Sequence, residues 1–188
     1  VNIEKGRLPG HFTAGWEKSE QLPRLVSFKA GVKTNVVPGK AHAVVEGVEL
    51  EVLTATAAQM EQETGIHFEF GEESGKMHIT AVGEGAHASL PYDGKNALTG
   101  LLSYLTRLPL AECGQTKTLK KLLGLMPHGE TDGKSLGVKM GDELSGDLTL
   151  AFSMLTVNGE GLDGEFDSRC PICANEDNVL KVIRENMA

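Results

Sequence analysis

The chain has 188 residues, 40% of them hydrophobic and 5% aromatic, with a formal net charge of -8. That is enough apolar content for a packed core, so a disordered chain is excluded. The acidic balance would repel a nucleic-acid backbone. No apolar run approaches the roughly 20 residues of a membrane helix, and the first ten residues lack the apolar stretch of a signal peptide. Nucleic-acid and membrane partners are therefore not expected. Three cysteines, an odd count, argue against a secreted disulfide framework and for a reducing, cytoplasmic setting. The first residue is Val1 rather than Met, so the sequence is expected to lie within a longer reading frame.

Taken in chain order, Arg24 to Lys33 is predicted as a strand around Leu25, Val26 and Phe28. Thr34-Asn35 breaks it, and Val36-Val37-Pro38-Gly39 is expected to turn before a short strand over 41–46. From Glu49 to Thr64, Val52, Leu53, Thr56, Ala57 and Met60 share one helical face, with Gly65 ending the helix. A hairpin follows, in which a loop of Glu72 to Gly75 would set Phe70 opposite Met77 and Phe68 opposite Ile79. After Gly83-Glu84-Gly85 and Ala86 to Pro91 comes a helix near Asn96 with a stripe of Ala97, Leu98, Leu101, Leu102 and Leu105. A second helix, Gln115 to Met126, is stopped by Pro127, and 127–145 is expected to be loop. Asp147 to Val157 and Leu162 to Arg169 predict another hairpin, in which a two-residue Asn158-Gly159 turn would set Phe152 against Glu165. Asn175 is expected to cap a last helix. Strand pairs with single covering helices suggest an α+β fold, an antiparallel sheet with helices on one face.

Hydrolytic metal chemistry needs several His, Asp or Glu ligands converging on the ion. The six histidines are scattered and form no HxxxH, HxH, HxD or HExxH, so no metal ligand is expected in this chain. The order of elements does not read as a doubly wound nucleotide-binding fold. Cys170-Pro171-Ile172-Cys173 could be a redox pair, although only 15 residues follow Cys173, too few for the rest of a thioredoxin-like fold. Two buried or half-buried cysteines at a strand end are the plainer reading. His87 sits in a glycine-flanked turn that could aim an imidazole at a developing oxyanion. A bond to a neighbouring carbonyl is the plainer reading of its spacing. Arg169, at a strand end, suits either a surface ion pair or a carboxylate ligand.

Three segments change this balance. Thr34 to Ala41, Gly83 to Pro91 with Gly94-Lys95-Asn96-Ala97, and Phe166 to Pro171 resemble, in that order, "N-x-V-P", "G-x-x-A-H-[AS]-[AS]-x-P…G-x-N-A" and "D-[IV]-R-[YF]-P". These segments mark the lid domain of the dinuclear zinc peptidases that include carboxypeptidase G, aminoacylase and peptidase V. Val1 to Gly6 is similar to the last strand of the catalytic segment that precedes such a lid. The resemblance implies a ferredoxin-like lid over 23–188, a linker and strand remnant over 1–22, and an insertion over 109–146. The enlarged middle is similar to the monomeric dipeptidase branch, where the extra piece replaces a dimer partner. The family implies that a zinc-activated water attacks the dipeptide amide. Both zinc ions and their ligands would lie in a catalytic domain outside this chain, and the isolated chain would be inactive. His87 would hydrogen-bond the oxyanion, Asn35 would assist, and Arg169 would hold the substrate carboxylate. Ser168 and Cys170 depart from the usual neighbours of that Arg. Two other readings stay open: a non-enzymatic module that binds amino acids, and a thiol redox protein built on Cys170 and Cys173.

Overall fold

A computed structural model describes residues 5–188. Its main feature is an antiparallel sheet of seven strands. In chain order the elements are β1 (Gly6–Gly15), β2 (Arg24–Ala30), β3 (Val36–Val37), β4 (Lys40–Glu46), α1 (Leu50–Thr64), β5 (His67–Glu73) and β6 (Lys76–Val82). Then come β7 (Ala86–His87), α2 (Ala97–Thr106), α3 (Gly114–Leu125), β8 (Gly141–Asp142), β9 (Gly146–Asp147), β10 (Thr149–Val157), β11 (Gly161–Cys170) and α4 (Lys181–Met187). The sheet order is β1-β11-β10-β2-β4-β6-β5, while β3 pairs with β7 and β8 with β9 in small ribbons.

Strand alternation divides the sheet into two faces. Leu25, Phe28, Ala43, Val45, Phe68, Ile79, Leu155, Leu162 and Phe166 join the helical stripes in one core. The helices contribute Leu53, Ala57 and Met60 from α1, Leu98, Leu101 and Leu105 from α2, and Leu119 and Leu122 from α3. The α+β design with helices on one face is thus the one observed. Each of these large aliphatic side chains contributes about 1.5–3 kcal/mol by leaving water. Val52, expected on the buried face of α1, is instead 37% exposed.

The structure corrects several expectations. Residues 6–15, read as connecting chain, form an edge strand paired with β11 along its whole length. Its core-facing alternation of Leu8, Gly10, Phe12 and Ala14 is hard to see because Gly10 leaves its place to a large neighbour. A Cβ on Gly10 would fall 2.1 Å from the Phe166 ring. The strand remnant read at Val1 to Gly6 falls mainly on residues 1–4, outside the described residues. In the β5–β6 hairpin the turn is the pair Ser74-Gly75, both at positive φ. The strands are therefore longer, and Phe70 faces Ile79 while Phe68 faces Ala81. This slip of two residues keeps every side chain on its expected face. In the β10–β11 hairpin, Val157 pairs with Leu162 around a longer loop, and a bulge between Phe152 and Met154 sets Phe152 against Phe166. The bulge restores an apolar pair where an Asn-Gly turn would have buried Glu165. Val36–Val37 is a short strand rather than a turn.

Candidate functional site

The helix-free face of the sheet carries the polar chemistry. On β11 the outward residues are Asp163, Glu165, Asp167 and Arg169, alternating with Leu162, Phe166 and Ser168, which are buried. Asp167 has no exposed side-chain surface. Its carboxylate accepts from Nε of Arg7 at 3.2 and 3.3 Å and from Nη2 of Arg169 at 3.1 Å. Arg7, Arg169 and Thr149 form one row across β1, β11 and β10, since Arg169 is the register partner of both others. Two guanidinium groups on one carboxylate leave the row with a net positive charge. Such a row suits an anionic ligand better than a neutral one.

The segments holding Asn35 and His87 come to the same face. Val36 pairs with His87, and the backbone N–H of Ala88 donates to the Asn35 carbonyl at 2.9 Å. Val37 and Ala88 pack on Ala151, which is the register partner of Asp167. The hydroxyl of Thr34 donates to Glu165, two residues before Asp167 on β11. The fold therefore seats Asn35 and His87 on a ribbon against β10, opposite the β11 carboxylate that binds Arg169, although 134 positions separate Asn35 from Arg169.

The glycines around His87 are there for close approach. Glu84 and Lys95 exchange two backbone hydrogen bonds at 2.9 Å. A Cβ on Gly83 would lie 2.2 Å from the Lys95 carbonyl oxygen, and one on Gly94 would lie 2.8 Å from that of Glu84. Asn96 closes the arrangement. Its Oδ1 accepts from the N–H groups of Leu98 and Thr99 to cap α2, and its Nδ2 donates to the Phe152 carbonyl at 2.9 Å. The His87 turn is thus bolted to both a helix start and β10.

His87 itself is exposed. The backbone N–H of Ser89 donates to its Nδ1 at 3.1 Å, and the Ser89 hydroxyl lies 2.6 Å from the same atom. A backbone N–H can only donate, so Nδ1 is the acceptor. The neutral ring then carries its proton on Nε2, an outward hydrogen-bond donor. Asn35 is half-buried beside it.

Other groups take less part. A cleft of about 200 Å³ opens behind β3 and β7, where β10 has parted from β2, and is lined by Thr99, His128, Lys95 and Thr131 among others. His128 Nδ1 lies 2.8 Å from the Thr99 hydroxyl, and burial holds its pKa below the usual value. On the far half of the helix-free face, His42 and His78 approach to 3.1 Å. Cys170 and Cys173 are free thiols. Burial pushes the Cys170 thiol up, the opposite of what a redox nucleophile needs. Among the described residues no three His, Cys, Asp or Glu side chains form a group that could hold a metal ion. No helix among them is long and apolar enough to cross a membrane.

Sequence reasoning singled out Asn35, His87 and Arg169 but gave no role to Arg7, Asp167 or Thr149. Asp167 was legible in principle, since it lies two residues before Arg169 on the same strand face. Arg7 and Thr149 become neighbours of Arg169 only through the sheet order.

No protein-family model matches the chain. Among curated proteins it is 32% identical over 98% of its length to "Putative dipeptidase YtjP" of Bacillus subtilis (strain 168). It is likewise 32% identical over its full length to the Beta-Ala-Xaa dipeptidase of Lactobacillus delbrueckii subsp. lactis. It spans only 39% and 40% of those two proteins. A crystal structure of the aminoacylhistidine dipeptidase of Vibrio alginolyticus aligns with 97% of this chain and 41% of its own, at 13% identity and a TM-score of 0.38. At that score the two folds need not coincide. Both curated relatives are named as dipeptidases, in keeping with the resemblance to enzymes of the peptidase V type.

Proposed function

We propose that this chain is the substrate-covering lid of a zinc-dependent dipeptidase. The observation that supports it most is the hydrogen bond from the Ser89 N–H to Nδ1 of the exposed His87 ring, which leaves Nε2 to carry the proton of the neutral imidazole. That is the donor a tetrahedral oxyanion requires. The described residues do not fit a metal centre. In this reading the two zinc ions and their ligands belong to the part of the parent protein outside this chain.

The roles of the chain's own residues follow. As the scissile carbonyl oxygen gains charge, Nε2–H of His87 donates to it, and the half-buried amide of Asn35 assists beside it. Arg169, oriented by Asp167, holds the C-terminal carboxylate of the dipeptide. Closing over the bound substrate would also exclude water, which strengthens each of these contacts. The dipeptide and the parent's own catalytic domain are the partners.

In the full-length protein His87→Ala is expected to lower kcat about 10²- to 10³-fold, the usual cost of an oxyanion donor. Because the ring is exposed, thermal stability should be unchanged. A variant that melts normally and turns over at the wild-type rate would remove His87 from the mechanism and with it the main support for the lid reading.

A further inference from the structure

Two buried side-chain atoms have no hydrogen-bond partner among the described residues: Oγ1 of Thr149 and Nε of Arg169. They belong to residues directly opposite each other on β10 and β11, so they share the helix-free face. Thr149 is only 6% exposed. Its backbone is already tied down, since the Ser168 hydroxyl donates to its carbonyl at 3.0 Å. The side-chain hydroxyl alone is left over.

Buried polar groups are almost always paired, and the exceptions tend to occur where a ligand completes the pairing. Here both orphans can donate. Nε–H can do nothing else, and the threonine hydroxyl rotates freely enough to do the same. The hydroxyl can also accept, but one acceptor with two lone pairs would satisfy both groups at once. The ion-paired groups of this row, Arg7, Asp167 and Arg169, are positive in sum, and they favour an anionic acceptor. A carboxylate oxygen meets all of these conditions.

We propose that Thr149 is a further substrate-contacting residue, whose hydroxyl donates to the same carboxylate oxygen that takes the Nε–H of Arg169. This rests on the reading that Arg169 holds the substrate carboxylate. Thr149 adds specificity to that contact: a carboxylate oxygen accepts from both donors, whereas a C-terminal amide has one fewer acceptor to offer and brings N–H groups that face the guanidinium.

The test uses the full-length protein with a dipeptide and the same dipeptide carrying a C-terminal amide. Thr149→Val keeps the shape and removes the hydroxyl. It is expected to raise KM for the free acid about tenfold, to leave kcat near wild type, and to leave the amide unaffected. Thr149→Ser should retain wild-type KM. The melting temperature of the substrate-free Val variant should be no lower than wild type, because the free protein loses no hydrogen bond. A Val variant with wild-type KM for the free acid would overturn the proposal, as would equal losses on acid and amide together with a lowered melting temperature. Arg169→Ala serves as the control. If it is selective for the acid while Thr149→Val is silent, only the role of Thr149 fails. If Arg169→Ala impairs acid and amide alike, or the protein turns over no dipeptide, the carboxylate reading fails and the role of Thr149 falls with it.

Discussion

Replacing Asp167 by Asn keeps the shape of a fully buried side chain while removing its charge and one of its two acceptors. The carboxylate takes Nη2 of Arg169 at 3.1 Å and Nε of Arg7 at 3.2 Å. Arg169 is 21% exposed, so its charge-assisted bond falls in the range of about 1.5–3 kcal/mol. Arg7 is 46% exposed, and solvent screening limits its contribution to about 1 kcal/mol or less. Asn can still accept from one arginine but turns an N–H toward the other. The expected net cost is about 2–3 kcal/mol. At about 2–4 °C per kcal/mol for a chain of this size, that lowers Tm by about 4–12 °C. Urea and thermal unfolding of the purified variant against wild type measure it directly. A change below about 0.5 kcal/mol, the range of an ordinary surface substitution, would show that Asp167 does not anchor the two arginines. Thr149→Val, by contrast, should cost the free protein nothing.

Gly83→Ala should cost about 1–3 kcal/mol, because its Cβ would collide with the Lys95 carbonyl at 2.2 Å; amide exchange should quicken through 84–95, and an unperturbed loop would contradict the close-approach argument. Tyr104→Phe removes the bond from a fully buried hydroxyl to the Leu53 carbonyl at 2.8 Å and should cost about 1 kcal/mol in urea unfolding; no loss would mean the hydroxyl contributes nothing net. Burial, with the charge of His78 second, holds the pKa of His42 below 6.5, and burial does the same for His128. Through these two groups folded protein binds fewer protons than unfolded protein in the window just below 6.5, so their contribution to stability should be full above that pH and fall as the pH drops through it, opposed by the exposed His11, whose pKa the hydrogen bond to Asp163 raises. Unfolding midpoints compared at about pH 7.5 and pH 5 should show this decline, and His42→Gln with His128→Gln should flatten it; an unchanged slope in the double variant would refute the assignment.

Much of this molecule could be read from its residues, for reasons that differ by element. The stripe of α2 is local and stands as read, and so does the cap at Asn175. Facing in the β5–β6 hairpin survived an error in register, because a slip of two residues preserves parity. The β10–β11 register could not be settled by turn chemistry alone. It took a longer loop and a bulge to bring Phe152 onto Phe166. Strand β1 was missed because Gly10 leaves its place on the core face to the ring of Phe166, so the strand's own alternation is broken. The site divides in the same way. Asn35, His87 and Arg169 stand in motifs, whereas Arg7 and Thr149 gain meaning only when β1 and β10 are placed on either side of β11.

The most direct measurement is dipeptide hydrolysis by the full-length protein, before and after removal of zinc by chelation, beside the 188-residue chain alone. The expected result is turnover by the full-length protein that is lost on chelation and restored by zinc, with none from the isolated chain. Hydrolysis by the isolated chain, or a full-length protein that leaves every dipeptide intact, would contradict the reading of this chain as a lid.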